Sequence, residues 1–279
     1  RTRVVPIAII PLHQIWAQVD LQSGSVTVSF TGNPGKWYWL QATETLAPAN
    51  WRNVSSSPVY ATNALITLTA IAPGAGPQQF YRLQEVDGDF ATKFSAGGIS
   101  SLRHMDNAAS TNSATEFISG GKLGNVRLKY RPVGGGTWYA VDSATLSGVM
   151  AVNYATNTSL GGVTYSTRYQ ITNGLAGTLV FESVMTFAQD DIRWDLNLTN
   201  LAGQSVAVGD LALPFPMNTT FSSPSTSVFK HSFISGYGSW IFWMRPDSVG
   251  PYLTLTPADN TKLEYWDQLA NGGVYEAYI

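Results

Sequence analysis

The stretch from Leu179 to Pro214 constrains the fold of this chain more than any other. Between Ile192 and Thr199, apolar and polar residues alternate strictly, which is the two-residue period of a β-strand with one buried face. The run 179–187 has the same period, and Gln189-Asp190-Asp191 supplies turn residues between the two runs. These patterns predict a β-hairpin whose second strand turns four apolar side chains towards a core: Ile192, Trp194, Leu196 and Leu198.

A third strand is predicted directly after this hairpin. A break at 200–204 leads into the run 205–213, and the apolar phase of this run slips at Gly209-Asp210. Such a slip at a glycine indicates a β-bulge. Three antiparallel strands with one solvated face predict a meander. Because the same period recurs along the chain and no amphipathic helix of ordinary length emerges, the sequence predicts an all-β protein.

Composition limits the classes of function. The chain has 279 residues and a formal net charge of -2, so its charge gives no reason to expect nucleic acid or an anionic membrane as a partner. Charged residues make up 12% of the chain, against a usual value of about 25%, and Ser, Thr, Asn and Gly carry its solubility, as is common in exported β-rich proteins. The lack of cysteine excludes disulfides, thiol catalysis and Cys-ligated metal. No run approaches the roughly 18 apolar residues that predict a membrane-embedded helix.

The order of the predicted strands suggests three segments. Residues 1–18, with a basic start and an apolar run, are interpreted as the remnant of an export signal or, alternatively, as a linker or an ordinary first strand. Residues 19–88 hold about six short strands, which predicts a small β-sandwich. After the turn Asp87-Gly88-Asp89, residues 89–279 predict a large antiparallel β-sandwich that is truncated at the carboxyl terminus.

The first sandwich resembles a known kind of module. Its strand VTVSF, a Pro-Gly turn, the strand WYWLQAT, then WRNV and FYRL follow one another as in the small fibronectin-like modules of large exported bacterial proteins. The resemblance implies a spacer or accessory role for residues 19–88 and no catalysis.

Residues 89–279 carry a second resemblance. The motifs FSAGGISSLRH, GGKLGNVRLKYR, DLNLTN, VGDLALPFPMN, KHSFISGYGSWIFW and KLEYW occur in order. This set resembles a bacterial and fungal family of unassigned function and, through it, the N-terminal β-supersandwich of six-hairpin (α/α)6-barrel glycoside hydrolases.

The second resemblance implies a function and a place of action. This chain would be the non-catalytic N-terminal part of a carbohydrate-active enzyme, secreted or at the bacterial cell surface, with its sandwich packed on a downstream helical catalytic domain. Two alternatives stay open. One is a carbohydrate-binding or adhesive cell-surface protein, and the other is the accessory part of a polysaccharide lyase.

The sequence predicts no catalytic residue. Glycoside cleavage needs two carboxyl groups about 5 to 10 Å apart, but the adjacent Asp190 and Asp191 are explained by the predicted turn. The three histidines match no metal-binding spacing, and Gly134-Gly135-Gly136 lacks the Lys-Ser or Lys-Thr of a phosphate-binding loop. We therefore expect no metal and no cofactor.

Aromatic residues near glycine-rich loops point instead to a polysaccharide or oligosaccharide partner. Flat C–H faces of sugar rings stack on aromatic planes, while polar side chains bind the hydroxyls. For each candidate, ordinary packing is the competing explanation. The predicted carbohydrate-binding residues are Trp138, Tyr139, His231, Tyr237, Trp240 and Glu264.

Overall fold

The chain folds entirely from β-strands and short turns in its described part. A computed structural model describes residues 15–20, 24–62, 64–71, 79–118, 120–218, 229–233, 240–243, 253–258, 265–267 and 275–278. Within these ranges, the strand pairs whose residue-by-residue register is established are all antiparallel. The helical segments in the same ranges are two short 3-10 turns, Met105–Asn107 and Ser113–Thr115. The predicted all-β class is confirmed.

The described residues form two compact units. The first contains the residues up to Asp89 together with the later stretches 157–164 and 186–192. The second contains 90–156, 165–185 and the residues from Arg193 onwards. Residues 1–14 of the predicted signal or linker segment lie outside the described residues, and 15–18 belong to the first strand.

Among the described residues up to Asp89, the first unit has seven strands: β1 (Ile15–Asp20), β2 (Ser25–Phe30), β3 (Trp37–Thr43), β4 (Arg52–Asn53), β5 (Val59–Tyr60), β6 (Ile66–Ile71) and β7 (Phe80–Val86). One sheet has the order β1-β2-β6, and in the other β3 is paired with β4, β5 and β7. The alternating apolar side chains of β2 and β6 meet those of β3 and β7 in one core. The predicted small β-sandwich is therefore present.

In the part of the chain after Asp89 that the structure describes, fourteen strands follow in order: β8 (Phe90–Ser95), β9 (Gly98–His104), β10 (Arg127–Pro132), β11 (Tyr139–Asp142), β12 (Ala151–Ser159), β13 (Gly162–Ile171), β14 (Thr178–Phe187), β15 (Ile192–Leu201), β16 (Val206–Phe215), β17 (Phe229–Phe233), β18 (Trp240–Trp243), β19 (Leu253–Leu255), β20 (Tyr265–Asp267) and β21 (Tyr275–Tyr278). They form sheets of the orders β11-β10-β16-β21-β20, β12-β13-β14-β15 and β17-β18-β19, and the hairpin β8-β9.

Two of these sheets enclose the core of the second unit. The five-stranded sheet contributes buried Leu128 and Tyr130, and the four-stranded sheet contributes buried Tyr169 and Phe181. The rings of Trp194 on β15 and Phe215 on β16 meet edge to face with centroids 6.0 Å apart. The hydroxyl of Tyr130 donates a hydrogen bond of 2.7 Å to the carbonyl of Asn173, beyond the end of β13. Packing of one sheet on another is the arrangement of a β-sandwich.

The hairpin predicted from the alternating pattern is confirmed, but the meander is not. β14 and β15 are neighbours in the four-stranded sheet, whereas β16 lies in the five-stranded sheet between β10 and β21. Residues 212–218 are buried without interruption, which suits a central strand with both faces covered rather than a half-exposed meander strand. Alternation identifies the buried face of a strand and leaves its partner undetermined, so the sequence pattern placed β16 in the wrong sheet.

The predicted bulge is present. Along the β10–β16 ladder, Leu128 pairs with Leu211 and Tyr130 pairs with Val208. Lys129 alone therefore faces two residues, Gly209 and Asp210. An extra residue of this kind locally twists the strand that carries it.

Candidate functional site

Trp138 lies on the outer surface of the five-stranded sheet, just before β11 begins. Its indole is 45% exposed. A Cβ atom at Gly209 would lie 2.9 Å from the Cζ3 atom of this ring and 3.2 Å from Cη2, so the absence of a side chain at the bulge lets the indole rest against β16. The glycine therefore holds a large aromatic surface close to the strand while leaving much of it open to solvent.

Arg131, on the neighbouring strand β10, contacts the aromatic ring of Trp138. Its guanidinium carbon lies 4.6 Å from the centroid of the Trp138 ring, which is the distance of a cation–π contact. The residue opposite Arg131 on β16 is Ala207, which carries no charge. Among the residues that the structure describes, Arg131 has no acidic partner.

Two other cations on the same face of β10 are paired with carboxylates. Arg127 and Lys129 share a face with Arg131 because they are four and two residues away, respectively. Arg127 lies 3.2 Å from Asp142, and Lys129 lies 3.1 Å from Asp210 at the bulge. We call Lys129, Arg131, Trp138, Gly209 and Asp210 together the Trp138 platform. The charges of its one ion pair, Lys129–Asp210, cancel, so Arg131 gives the platform a local positive charge.

Tyr139 points to the opposite face from Trp138, as adjacent residues in extended chain do. Its ring lies against Gly174, where no Cβ would fit, and stacks on Tyr130 with centroids 5.8 Å apart. Tyr130 is fully buried, and burial raises the pKa of its phenol. Tyr139 is thus half-buried against the core side of the sheet, so the predicted carbohydrate-binding residues Trp138 and Tyr139 do not share a surface.

The other predicted carbohydrate-binding residues fall in the carboxyl-terminal quarter. His231 on β17 is opposite Phe242 on β18, and Trp240 is opposite Phe233. Tyr237 and Glu264 lie outside the described residues.

Two acidic residues of the described part, Glu116 and Asp191, have structural roles. Glu116 is largely buried, accepts hydrogen bonds from Ser101 Oγ at 2.6 Å and Leu102 N at 2.7 Å, and pairs with Arg103 Nε at 3.0 Å. Asp191 closes the turn between β14 and β15, where its carbonyl accepts a hydrogen bond of 3.0 Å from the Ala188 amide. No group of three or more His, Asp or Glu residues in the described ranges could hold a metal ion.

The sequence patterns predicted Trp138 as a binding residue but pointed neither to Arg131 beside it nor to the second role of Gly209. Arg127, Lys129 and Arg131 follow one another at two-residue spacing on β10. This spacing is typical of the solvent-exposed face of a strand, so Arg131 did not stand out from the other two cations. A glycine within a strand can mark close approach of another group as well as a bulge. Here both apply, since Gly209 lies in the bulge and beneath the indole.

None of the helical segments in the described ranges has the length and apolar character needed to cross a membrane. Comparison with curated proteins gave no match, and comparison with solved structures gave none either.

A protein-family model matches residues 107–278, which is more than half of the chain and includes the whole Trp138 platform. The matched range begins near the end of the first 3-10 turn and extends through β21. The chain therefore belongs to DUF5695, a family of unknown function.

Proposed function

We propose that this chain is a non-catalytic, carbohydrate-recognising part of an exported carbohydrate-active protein. In this proposal the first unit is a fibronectin-like accessory module. The second unit is a supersandwich of the glycoside-hydrolase type that supports a downstream helical catalytic domain. The Trp138 platform is its contact with polysaccharide or oligosaccharide.

The observation that carries the proposal is the exposed indole of Trp138, held against Gly209 beneath an arginine. A rigid aromatic plane at a surface offers contact area to the C–H face of a sugar ring at a small cost in conformational entropy. The surrounding donors and acceptors, Arg131, Lys129 and Asp210, are of the type that binds hydroxyl groups. The sandwich architecture and the low content of charged residues are compatible with this role.

A binding experiment tests the proposal directly. The protein is examined by affinity electrophoresis against a panel of soluble polysaccharides, and any hit is titrated calorimetrically with a derived oligosaccharide. Trp138→Ala is compared with Trp16→Ala, because Trp16 is similarly exposed, at 53%, and lies in the other unit. We expect Trp138→Ala to weaken binding about tenfold or more, since it removes the stacking surface, and Trp16→Ala to leave binding unchanged.

Two results would count against the proposal. If no polysaccharide retards the protein, the proposal that it recognises carbohydrate is wrong. If Trp138→Ala and the parent protein bind with equal affinity, the Trp138 platform is not the binding site. The non-catalytic part of the proposal is tested on the same hits. Appearance of new reducing ends or unsaturated products with this chain alone would contradict it.

A further inference from the structure

Arg131 differs from its neighbours on β10 in how its charge is used. Arg127 and Lys129 are each close to a carboxylate, Asp142 and Asp210. The guanidinium carbon of Arg131 instead lies over the ring of Trp138, 4.6 Å from its centroid, and the residue opposite on β16 is uncharged Ala207. Among the described residues, the side chain of Arg131 has no acidic partner. A guanidinium without a hydrogen-bonded partner keeps its N–H donors available. The platform therefore presents a positive, planar donor group beside an open aromatic ring.

We infer that the Trp138 platform selects sugars that carry an anionic group, a carboxylate or a sulfate. This inference rests on the proposed carbohydrate-binding function. The sugar ring packs on the solvent-exposed part of the Trp138 indole that Arg131 does not cover, and its acidic group accepts hydrogen bonds from the guanidinium of Arg131. A guanidinium matches the two oxygens of such a group in a bidentate, charge-assisted geometry that hydroxyl groups cannot reproduce.

The charges around Arg131 favour this ligand. Asp210 is the acidic member of the platform, and its pairing with Lys129 at 3.1 Å reduces its repulsion of an anion. Because the pair and Arg131 are accessible to solvent, the attraction is screened by salt. The inference therefore requires an affinity for acidic sugars that falls as ionic strength rises.

Two matched pairs of ligands test the inference. The first is an oligogalacturonide and its fully methyl-esterified form, which have the same sugar rings with and without the carboxylate charge. The second is a sulfated galactan oligosaccharide and its desulfated form. Each is titrated into the parent protein, Arg131→Gln, Trp138→Ala and Arg168→Gln, the last replacing an exposed arginine on the four-stranded sheet that is paired with Glu182. Circular dichroism confirms that the variants are folded.

We expect the parent protein to bind the acidic member of one pair about tenfold or more tightly than its neutral form, the factor that a charge-assisted hydrogen bond supplies. Arg131→Gln should remove this preference and keep the affinity for the neutral form. Trp138→Ala should weaken binding of both members, and Arg168→Gln should change neither. Preference within the first pair identifies the carboxylate, and preference within the second identifies the sulfate.

The inference is overturned if charged and neutral members bind equally, or if Arg131→Gln retains the preference. In either case binding that depends on Trp138 would leave the proposed function standing. Failure of all four ligands and of the polysaccharide panel to bind would instead remove the proposed function and the inference with it.

Discussion

Tyr38 shows how one buried side chain couples the first unit to pH. It is 1% exposed, and its hydroxyl donates to the carboxylate of Glu85 and accepts a hydrogen bond of 2.8 Å from the amide of Asn33. Burial and the hydrogen bond to Glu85 raise the pKa of Tyr38 to about 12. Both disfavour the phenolate, since burial penalises its charge and the neighbouring carboxylate repels it.

This shift predicts alkaline destabilisation. An unfolded tyrosine loses its proton near pH 10, whereas Tyr38 in the folded chain keeps its proton to about pH 12. The stabilisation is complete below pH 10 and is lost as the pH rises from 10 to 12, because only the unfolded state is then deprotonated. Tyr38→Phe should lower the free energy of unfolding by about 1 kcal/mol at pH 9, through the lost hydrogen bonds, and should flatten its decline above pH 10.

Urea unfolding of both proteins between pH 9 and 11.5 measures this difference. Other tyrosines with raised pKa values, such as Tyr130, are present in both proteins, so their contributions cancel. Parallel curves for parent and variant would show that Tyr38 does not carry the pH dependence assigned to it.

At the scale of the strand, Gly209 lies in the bulge of β16 and also makes room for the indole of Trp138, because glycine has no side chain. Replacing Gly209 by alanine would put a Cβ 2.9 Å from the ring of Trp138 and 3.4 Å from Cβ of Lys129. The free end of a side chain can move more easily than a strand, so we expect Gly209→Ala to lift the indole. Glycan affinity should fall about threefold to tenfold, while the free energy of unfolding changes by less than about 1 kcal/mol.

Gly136→Ala is the matched control for this variant. Gly136 precedes Trp138 by two residues, and nothing lies within 4 Å of a Cβ built there. The control should keep parental affinity, and tryptophan fluorescence should change in Gly209→Ala alone. Unchanged affinity in Gly209→Ala would show that the position of the indole against β16 does not matter for binding.

Much of this element-scale structure follows from the sequence. The two-residue period predicts β14 and β15, and the phase slip predicts the bulge, because both depend on residues adjacent in the chain. The sheet that accepts β16 and the contact between Arg131 and Trp138 depend on the pairing of strands distant in sequence. Periodicity describes one strand at a time, so it cannot supply that pairing.

At the scale of the whole chain, the first unit is not a continuous stretch of sequence. Besides the residues up to Asp89, it includes 157–164 at the β12–β13 turn and 186–192 at the β14–β15 turn. Within this unit the amide of Tyr60 donates to the carbonyl of Leu160 at 2.8 Å, and the indole N–H of Trp39 donates to Gln189 Oε1 at 2.8 Å. Domain boundaries predicted from turns and composition, such as 19–88, cannot include these contacts, because the contacts join residues far apart in the sequence.

A fragment comprising residues 1–89 should therefore be incomplete as a folding unit. It keeps the sandwich core of β2, β3, β6 and β7 but loses two hydrogen-bond acceptors. These are the carbonyl of Leu160 for the Tyr60 amide and the carbonyl of Gln189, at 2.6 Å, for the Asp89 amide.

Hydrogen exchange of the fragment and of the full chain, compared amide by amide, tests this prediction. Tyr60 should lose most of its protection in the fragment, because its hydrogen bond is gone. The β3–β7 ladder, which is internal to the fragment, should keep more of its protection and serves as the control. Equal protection of Tyr60 in both proteins would mean that the stretch 157–164 contributes nothing to the stability of the first unit.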